Sequence, residues 1–238
     1  MGRRFVAFDI ETAANVPGPD FDWRSHRPLG ITCAAALRSD TDDPIIWHAK
    51  KADGTPAPRM SQHECGIIVD SLAKMVKEGY TLLTWNGLGF DFEVLAEEAD
   101  ANDVCRQLVL EHVDMMFHVF CDRGFPVGME KAAQGLGIRG KPAGVSGLLA
   151  PQLWAEGQYQ VVMDYVAQDV RIALTIAEKC EMSRRFKWKT QKGTTSSMPL
   201  EKGWLSVSDA LKLPKPDTSW MTKPLSREHF AQWANAEN

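Results

Sequence analysis

The sequence predicts an α/β fold whose sheet begins with antiparallel strands and continues with parallel ones, flanked by helices. Three observations predict it. Short apolar runs rich in strand formers occupy the chain up to His48. Helical spacing takes over from Ser61, and a long, well-patterned helix runs from Gln158 to Cys180.

Arg4 to Glu11 (RFVAFDIE) is a short apolar run that ends in acids, the signature of a buried strand. Residues 14–29 carry three prolines and are expected as a loop. Ile31 to Leu37 and Pro44 to His48 read as the next strands. The polar turn SDTDD between them indicates a hairpin-like antiparallel connection. From Ser61 to Glu78, Ile67, Ile68, Leu72, Met75 and Val76 recur at helical spacing, with Ser61 as the N-cap. Thr81 to Thr84 is a fourth strand. Asn86, Gly87 and Gly89 form a turn, and a helix begins at Phe90. Two further helices are expected across 101–122, a loop at Arg123 to Val127, a short helix at 129–136 and a Gly-rich connector (GIRGKPAGVSG). After Arg185 the texture changes to Pro, Gly, Ser, Thr and Lys with spaced tryptophans, and Ser226 to Ala236 reads as a closing helix. The expected organisation is a domain at 1–185 and a basic, Trp-containing extension at 186–238, packed on it.

At 238 residues, 44% hydrophobic and 24% charged, the chain has the composition of a soluble globular protein. It has no run of about 18 apolar residues, so no membrane span is expected. The N-terminus lacks an apolar segment with a cleavage site, so no signal peptide is expected, and its Met-Gly start lacks the Ser or Thr of a myristoylation motif. Five scattered cysteines without a CxxC pair argue against a zinc site or disulfide framework and point to the cytoplasm. Net charge is −4, yet from Arg184 onward ten basic residues face five acidic ones. Carboxylates beside a basic segment suit a protein that handles metal ions and phosphates, although a solvated asymmetry would look the same.

The acids carry the chemistry. Asp9 and Glu11 alternate along a strand, so both point to one face. Two neighbouring carboxylates at the end of an apolar strand are costly without a cation, because like charges repel and burial disfavours ionisation. Asp91 begins a helix, where the helix dipole favours an anion whether or not the residue has a function. Asp169 lies on the apolar stripe of the long helix, with Tyr165 four residues before it on the same face. Asp164 is rotated away and read as solvated, and Arg171 as a surface or ion-pair residue. His112 and His118, with Asp114 between them, are expected as surface or packing residues rather than ligands.

Together, FDIET on the first strand, NGLGFD after the fourth and YVAQD in the late helix closely resemble the three motifs of the DEDD (DnaQ-like) 3'-5' exonuclease superfamily. The YxxxD form resembles the tyrosine subclass (DEDDy); the histidine subclass would carry its histidine where Asp164 stands. KAAQGLGIRGK, with the run from LLAPQLW to LTIAE, looks like predicted exonucleases related to the proofreading domain of family B DNA polymerases. The resemblance covers about residues 4–182.

The resemblance implies a ribonuclease H-like mixed sheet, with three antiparallel strands and then parallel ones. It also implies two-metal phosphodiester hydrolysis, with two divalent cations (Mg²⁺ or Mn²⁺) about 4 Å apart. Asp9 would bridge the metals, Glu11 and Asp169 complete the water-side ion, and Asp91 hold the other. Tyr165 would orient the attacking water. The implied substrate is the 3' end of single-stranded nucleic acid, DNA favoured over RNA, contacted by Thr12, Trp85, Asn86 and Phe90; Trp85 and Phe90 fit a plain core role equally well. A polymerase in trans is conceivable, but nothing in the sequence supports it. The competing readings are a non-catalytic nucleic-acid-binding module and a ribonuclease H-type endonuclease. The extension also admits two readings: Lys187, Trp188, Lys189 and Lys192 could guide single strands, or Trp204, Trp220 and Trp233 could fill grooves on the domain, the favoured alternative for most of it.

Overall fold

The computed structural model describes residues 2–16, 22–140 and 146–235. Parts of the proline-rich loop, of the Gly-rich connector and of the closing helix expected to reach Ala236 lie outside these. A five-stranded sheet forms the centre, in the order β3-β2-β1-β4-β5. Strands β1 (Phe5–Thr12), β2 (Ile31–Arg38) and β3 (Ile45–His48) pair antiparallel. β4 (Thr81–Thr84) and β5 (Val113–Asp114) continue parallel to β1. This is the antiparallel-then-parallel sheet expected. β1 and β2 are buried along nearly their whole length because helices cover both faces.

Helix α1 (Gln62–Lys77) starts at Ser61, whose Oγ accepts from the Glu64 N–H at 3.3 Å while Glu64 accepts from the Ser61 N–H at 2.7 Å. Its buried stripe is Cys65, Ile68, Val69, Leu72 and Met75. Ile67, expected on that face, is exposed, because steps of about 100° carry it out of the arc that contacts the sheet. Helices α2 (Asp91–Glu98), α3 (Asn102–Glu111), α4 (Met115–Arg123) and α5 (Met129–Gly135) follow. The two helices expected across 101–122 are present, but β5 separates them. His112 turns extended and buries its ring, and Asp114 caps α4 by accepting from the Phe117 N–H at 3.0 Å.

A short helix, α6 (Ala150–Ala155), precedes α7 (Tyr159–Ser183), which lies across β1 and β2. The small residues Cys33 and Ala35 of β2, paired with Glu11 and Asp9, leave room for this helix and for the acids beneath it. Val161 falls outside the apolar stripe of α7 and is exposed.

The basic extension, for which no strand was expected, opens with an antiparallel hairpin of β6 (Arg185–Lys189) and β7 (Thr195–Pro199). In β6 the alternation buries Phe186 and Trp188 and leaves Arg185 and Lys187 in solvent. The hairpin sits so close to α5 that a Cβ at Gly135 would collide with the backbone of Trp188. A one-turn helix, α8 (Val207–Ala210), and α9 (Glu228–Asn235) complete the described chain. Trp204 is fully buried, its indole N–H donating to the Ala177 carbonyl at 3.3 Å. Trp220 does not fill a groove: it is 67% exposed. No helix among the described residues is long and apolar enough to cross a membrane.

Candidate active site

At the C-terminal end of β1, Asp9 and Glu11 project from the same face of the strand, towards α7. One carboxylate oxygen from each, and one from Asp169 on α7, lie within 4.8 Å of one another. Glu11 and Asp169 are buried and Asp9 is partly exposed. The register of β1 against β2 shifts between Glu11 and Thr12, an irregularity directly after the acids, and the pairing then continues from Ala13 to Gly30 and from Ala14 to Leu29.

Asp91 reaches the same place from the N-terminus of α2. It is buried, and its Oδ1 accepts from the Ile10 N–H at 3.1 Å. Burial pushes its carboxyl up to about 7, against the lowering effect of hydrogen bonds with the Asp9 carboxyl and the Ile10 N–H. The oxygens gathered here are all hard donors, as Mg²⁺ or Mn²⁺ prefers. Below them, burial pushes the Cys33 thiol well up, and the Glu11 charge adds to the effect, so this cysteine stays a neutral thiol.

The acids open into a cleft of about 210 Å³, lined also by Thr12, Trp85, Asn86, Phe90, Tyr165 and the Gly147–Leu148 segment ahead of α6. All nine residues singled out from the sequence thus border one cavity. Tyr165 lies one turn from Asp169 on α7 and is buried. Thr12 is buried at the strand exit. Trp85 is half-buried, its indole N–H donating to the Val127 carbonyl at 3.1 Å. Phe90 is half-buried and meets Trp23 edge-on at 5.3 Å. Asn86 adopts φ +76°, and its Oδ1 is tucked under Gly89, where a Cβ would come within 2.8 Å of it.

Sequence reasoning missed the residues that hold the turn 84–90 in place. Asp114, fully buried, accepts from the backbone N–H groups of Asn86 at 3.0 Å and Leu88 at 2.9 Å. Burial nevertheless pushes its carboxyl up to about 6. Thr84 bonds the His112 ring at 2.9 Å and accepts from the Gly87 N–H at 3.0 Å. From the far end of the chain, Trp233 on α9 donates its indole N–H to the Leu88 carbonyl at 2.7 Å. A Cβ at Gly89 would lie 2.9 Å from the ring of Phe230. His112 and His118 are packing residues, and burial pushes both rings down to about 4. Asp164 is exposed, and Arg171 lies 3.9 Å from Asp43. Trp188, stacked on Phe186 at 5.5 Å, is buried and out of reach of a nucleic-acid base.

A family model described as RNase_H superfamily matches residues 48–180, more than half of the chain. No curated protein sequence matches. Among solved structures, the chain is similar to the family B DNA polymerase from the hyperthermophilic archaeon Pyrobaculum calidifontis. That match has 21% identity over 76% of this chain and 25% of the polymerase, with a TM-score of 0.56. It is also similar to exonuclease I, at 15% identity over 76% of this chain and 41% of that one, with a TM-score of 0.39. A further match is E. coli exonuclease I in complex with a dT13 oligonucleotide, at 19% identity over 76% of this chain and 41% of that one, with a TM-score of 0.34. The chain therefore spans about a quarter of the polymerase and about two fifths of exonuclease I.

Proposed function

The chain belongs to the RNase_H superfamily and its mixed sheet is ribonuclease H-like; from that premise we propose that it is a metal-dependent 3'-5' exonuclease of the tyrosine (DEDDy) subclass, acting on single-stranded DNA in preference to RNA. One observation carries the reading. Carboxylates from β1 and α7 converge within 4.8 Å at the head of a cleft that Asp91 and Tyr165 also line. Such a cluster is unfavourable by itself and has its natural complement in hard cations.

In this reading Asp9, Glu11, Asp91 and Asp169 hold two divalent cations, Mg²⁺ or Mn²⁺. Bound there, the cations would supply acidity to a water molecule and neutralise charge on the phosphate. The rest falls to the chain. Tyr165, whose ordinary pKa near 10 makes it a poor base, orients the water by hydrogen bonding rather than by taking its proton. Trp85 offers a ring held by its own bond to Val127, and Phe90 a ring braced by Trp23, as surfaces for the terminal base or sugar. The Thr12 backbone and Asn86 flank the sugar. Residues 1–185 form the catalytic unit in this proposal, and 186–238 the extension that packs against it.

The test is digestion of 5'-labelled single-stranded DNA, double-stranded DNA and RNA side by side with Mg²⁺ or Mn²⁺. The expected result is a ladder that shortens from the 3' end, fastest on single-stranded DNA. Intact substrate with either cation, or nicking of a circular single strand, would overturn the proposal.

A further inference from the structure

A second concavity adjoins the cleft. It has a volume of about 320 Å³ and lies between the loop that follows β3 and the α6–α7 corner. Pro151 borders both cavities, and Ala13 lines this one while its neighbours Thr12 and Ala14 line the cleft. Among the described residues, the two therefore share Pro151 and meet at the backbone that leaves β1.

The two differ in charge. The cleft gathers carboxylates; the groove carries Lys51 and Arg59, both exposed. Among the described residues no carboxylate lies within ion-pair distance of either. Arg59 is also positioned: a Cβ built on Gly30 would lie 3.0 Å from its Cδ, so its stem rests on the backbone that pairs with Ala13. Tyr159 forms the floor, half-buried, its ring held edge-on against Trp154 at 4.8 Å. Trp154 is buried and fixes the opposite wall by donating to the Ala57 carbonyl at 2.9 Å. Lys51 feels the carboxylate of Asp53 two residues on without a close ion pair, and two exposed cations beside a braced aromatic ring form a surface that suits a phosphodiester backbone with a stacked base.

We infer that this groove holds single-stranded nucleic acid on the 5' side of the nucleotide in the cleft, with Arg59 and Lys51 on phosphates and Tyr159 under a base. The inference rests on the nuclease reading of the cleft and extends it to a site that none of the carboxylates touches. It also moves the basic guide from the C-terminal extension to the loop after β3.

The experiment separates binding from turnover. A fluorescent dT12 oligonucleotide is titrated with the full chain in EDTA over a range of salt concentrations, and p-nitrophenyl thymidine 5'-phosphate, which fills the cleft alone, is assayed with Mn²⁺. The Lys51→Ala/Arg59→Ala protein is expected to bind dT12 about tenfold or more weakly, with the log–log salt slope flattened by about 1.4 for two lost phosphate contacts. Its turnover of the small ester is expected to be unchanged. Tyr159→Leu is expected to lose roughly fivefold or more in dT12 affinity, and Tyr159→Phe to keep it. Equal dT12 binding and salt slope in the unmodified and doubly substituted proteins would overturn the groove even if the ester is cleaved. Failure to cleave the ester, with dT12 binding still dependent on Lys51 and Arg59, would overturn the nuclease reading and leave the groove standing.

Discussion

Asp9, Glu11 and Asp169 stand on two regular elements, whereas Asp91 stands at the end of a turn supported by distant parts of the chain. The first group needs only the pleat of β1 and the pitch of α7, which put the side chains on facing surfaces. The second needs Asp114 under two backbone N–H groups, His112 on Thr84, and Phe230 and Trp233 of α9 against Gly89 and Leu88. One wall of the cleft follows from local periodicity; the other is assembled from residues 22 to 149 positions away from the turn 84–90 only through the tertiary fold. Damage to the first should therefore remove chemistry and spare stability, and damage to the second should cost both.

The largest expected effect comes from Asp9→Asn. Activity on single-stranded DNA should fall by about a thousandfold or more, because a residue proposed to hold the ions is lost. Thermal unfolding in EDTA should be unchanged or shifted upward, since one of three crowded charges is gone. In the unmodified protein, Mg²⁺ or Mn²⁺ at about 100 times its Kd should add about 2.7 kcal/mol. A variant that melts alike with EDTA and with cation would confirm the loss of the site, and one that still digests DNA at the original rate would refute the assignment.

Trp233→Ala should break the other wall from a distance. The ring is only half-buried, so the loss should be roughly 2–3 kcal/mol, less than for a fully buried tryptophan. Loosening of the turn that carries Asp91 should lower kcat by about ten- to a hundredfold. Trp233→Phe keeps most of the packing and gives up the bond to Leu88, for about 1 kcal/mol. Urea unfolding and steady-state kinetics on the same samples would show whether stability and kcat fall together, as this wall requires.

The buried histidines give a pH signature. His112 and His118 are held near 4, below their ordinary value. The stability they contribute is therefore full above about 6.5 and is lost as pH falls towards 4. Asp114, pushed up to about 6, has the opposite sign: its contribution is full below its ordinary range and fades as pH rises through 6. His118→Phe should flatten the acid-side loss by about 3 kcal/mol between pH 6.5 and 4 in urea titrations, a result that an unchanged slope would contradict. The smallest effect belongs to Asp164→Asn. This exposed side chain bonds only Gln160 in the described structure, and stability should move by less than about 0.5 kcal/mol with activity unaltered.

The legibility of the sequence follows the same division. Periods of two and of 3.6 residues placed Asp9 and Glu11 on one strand face, and Tyr165 and Asp169 on one helix face, before any tertiary contact was known. The antiparallel start of the sheet was readable from the SDTDD turn. β5 was not, because two residues are too few to show a period and Val113–Asp114 lies between two helices. The β6–β7 hairpin did carry a signal, the alternation Arg-Phe-Lys-Trp-Lys, which the surrounding Ser, Thr and Gly obscured. Trp220 and Trp204 look alike in sequence, yet one is 67% exposed and the other fully buried, since only packing decides which ring meets a surface.

By itself, then, the sequence determined the central strands, the long helix and the faces on which the acids stand, because backbone periodicity is a local property. The tertiary structure decided that the acids meet within 4.8 Å, that α9 returns to hold the turn before Asp91, and that Lys51, Arg59 and Tyr159 line one groove beside the cleft. Those arrangements join residues far apart in the chain, and spacing along a sequence holds no information about a distance across it.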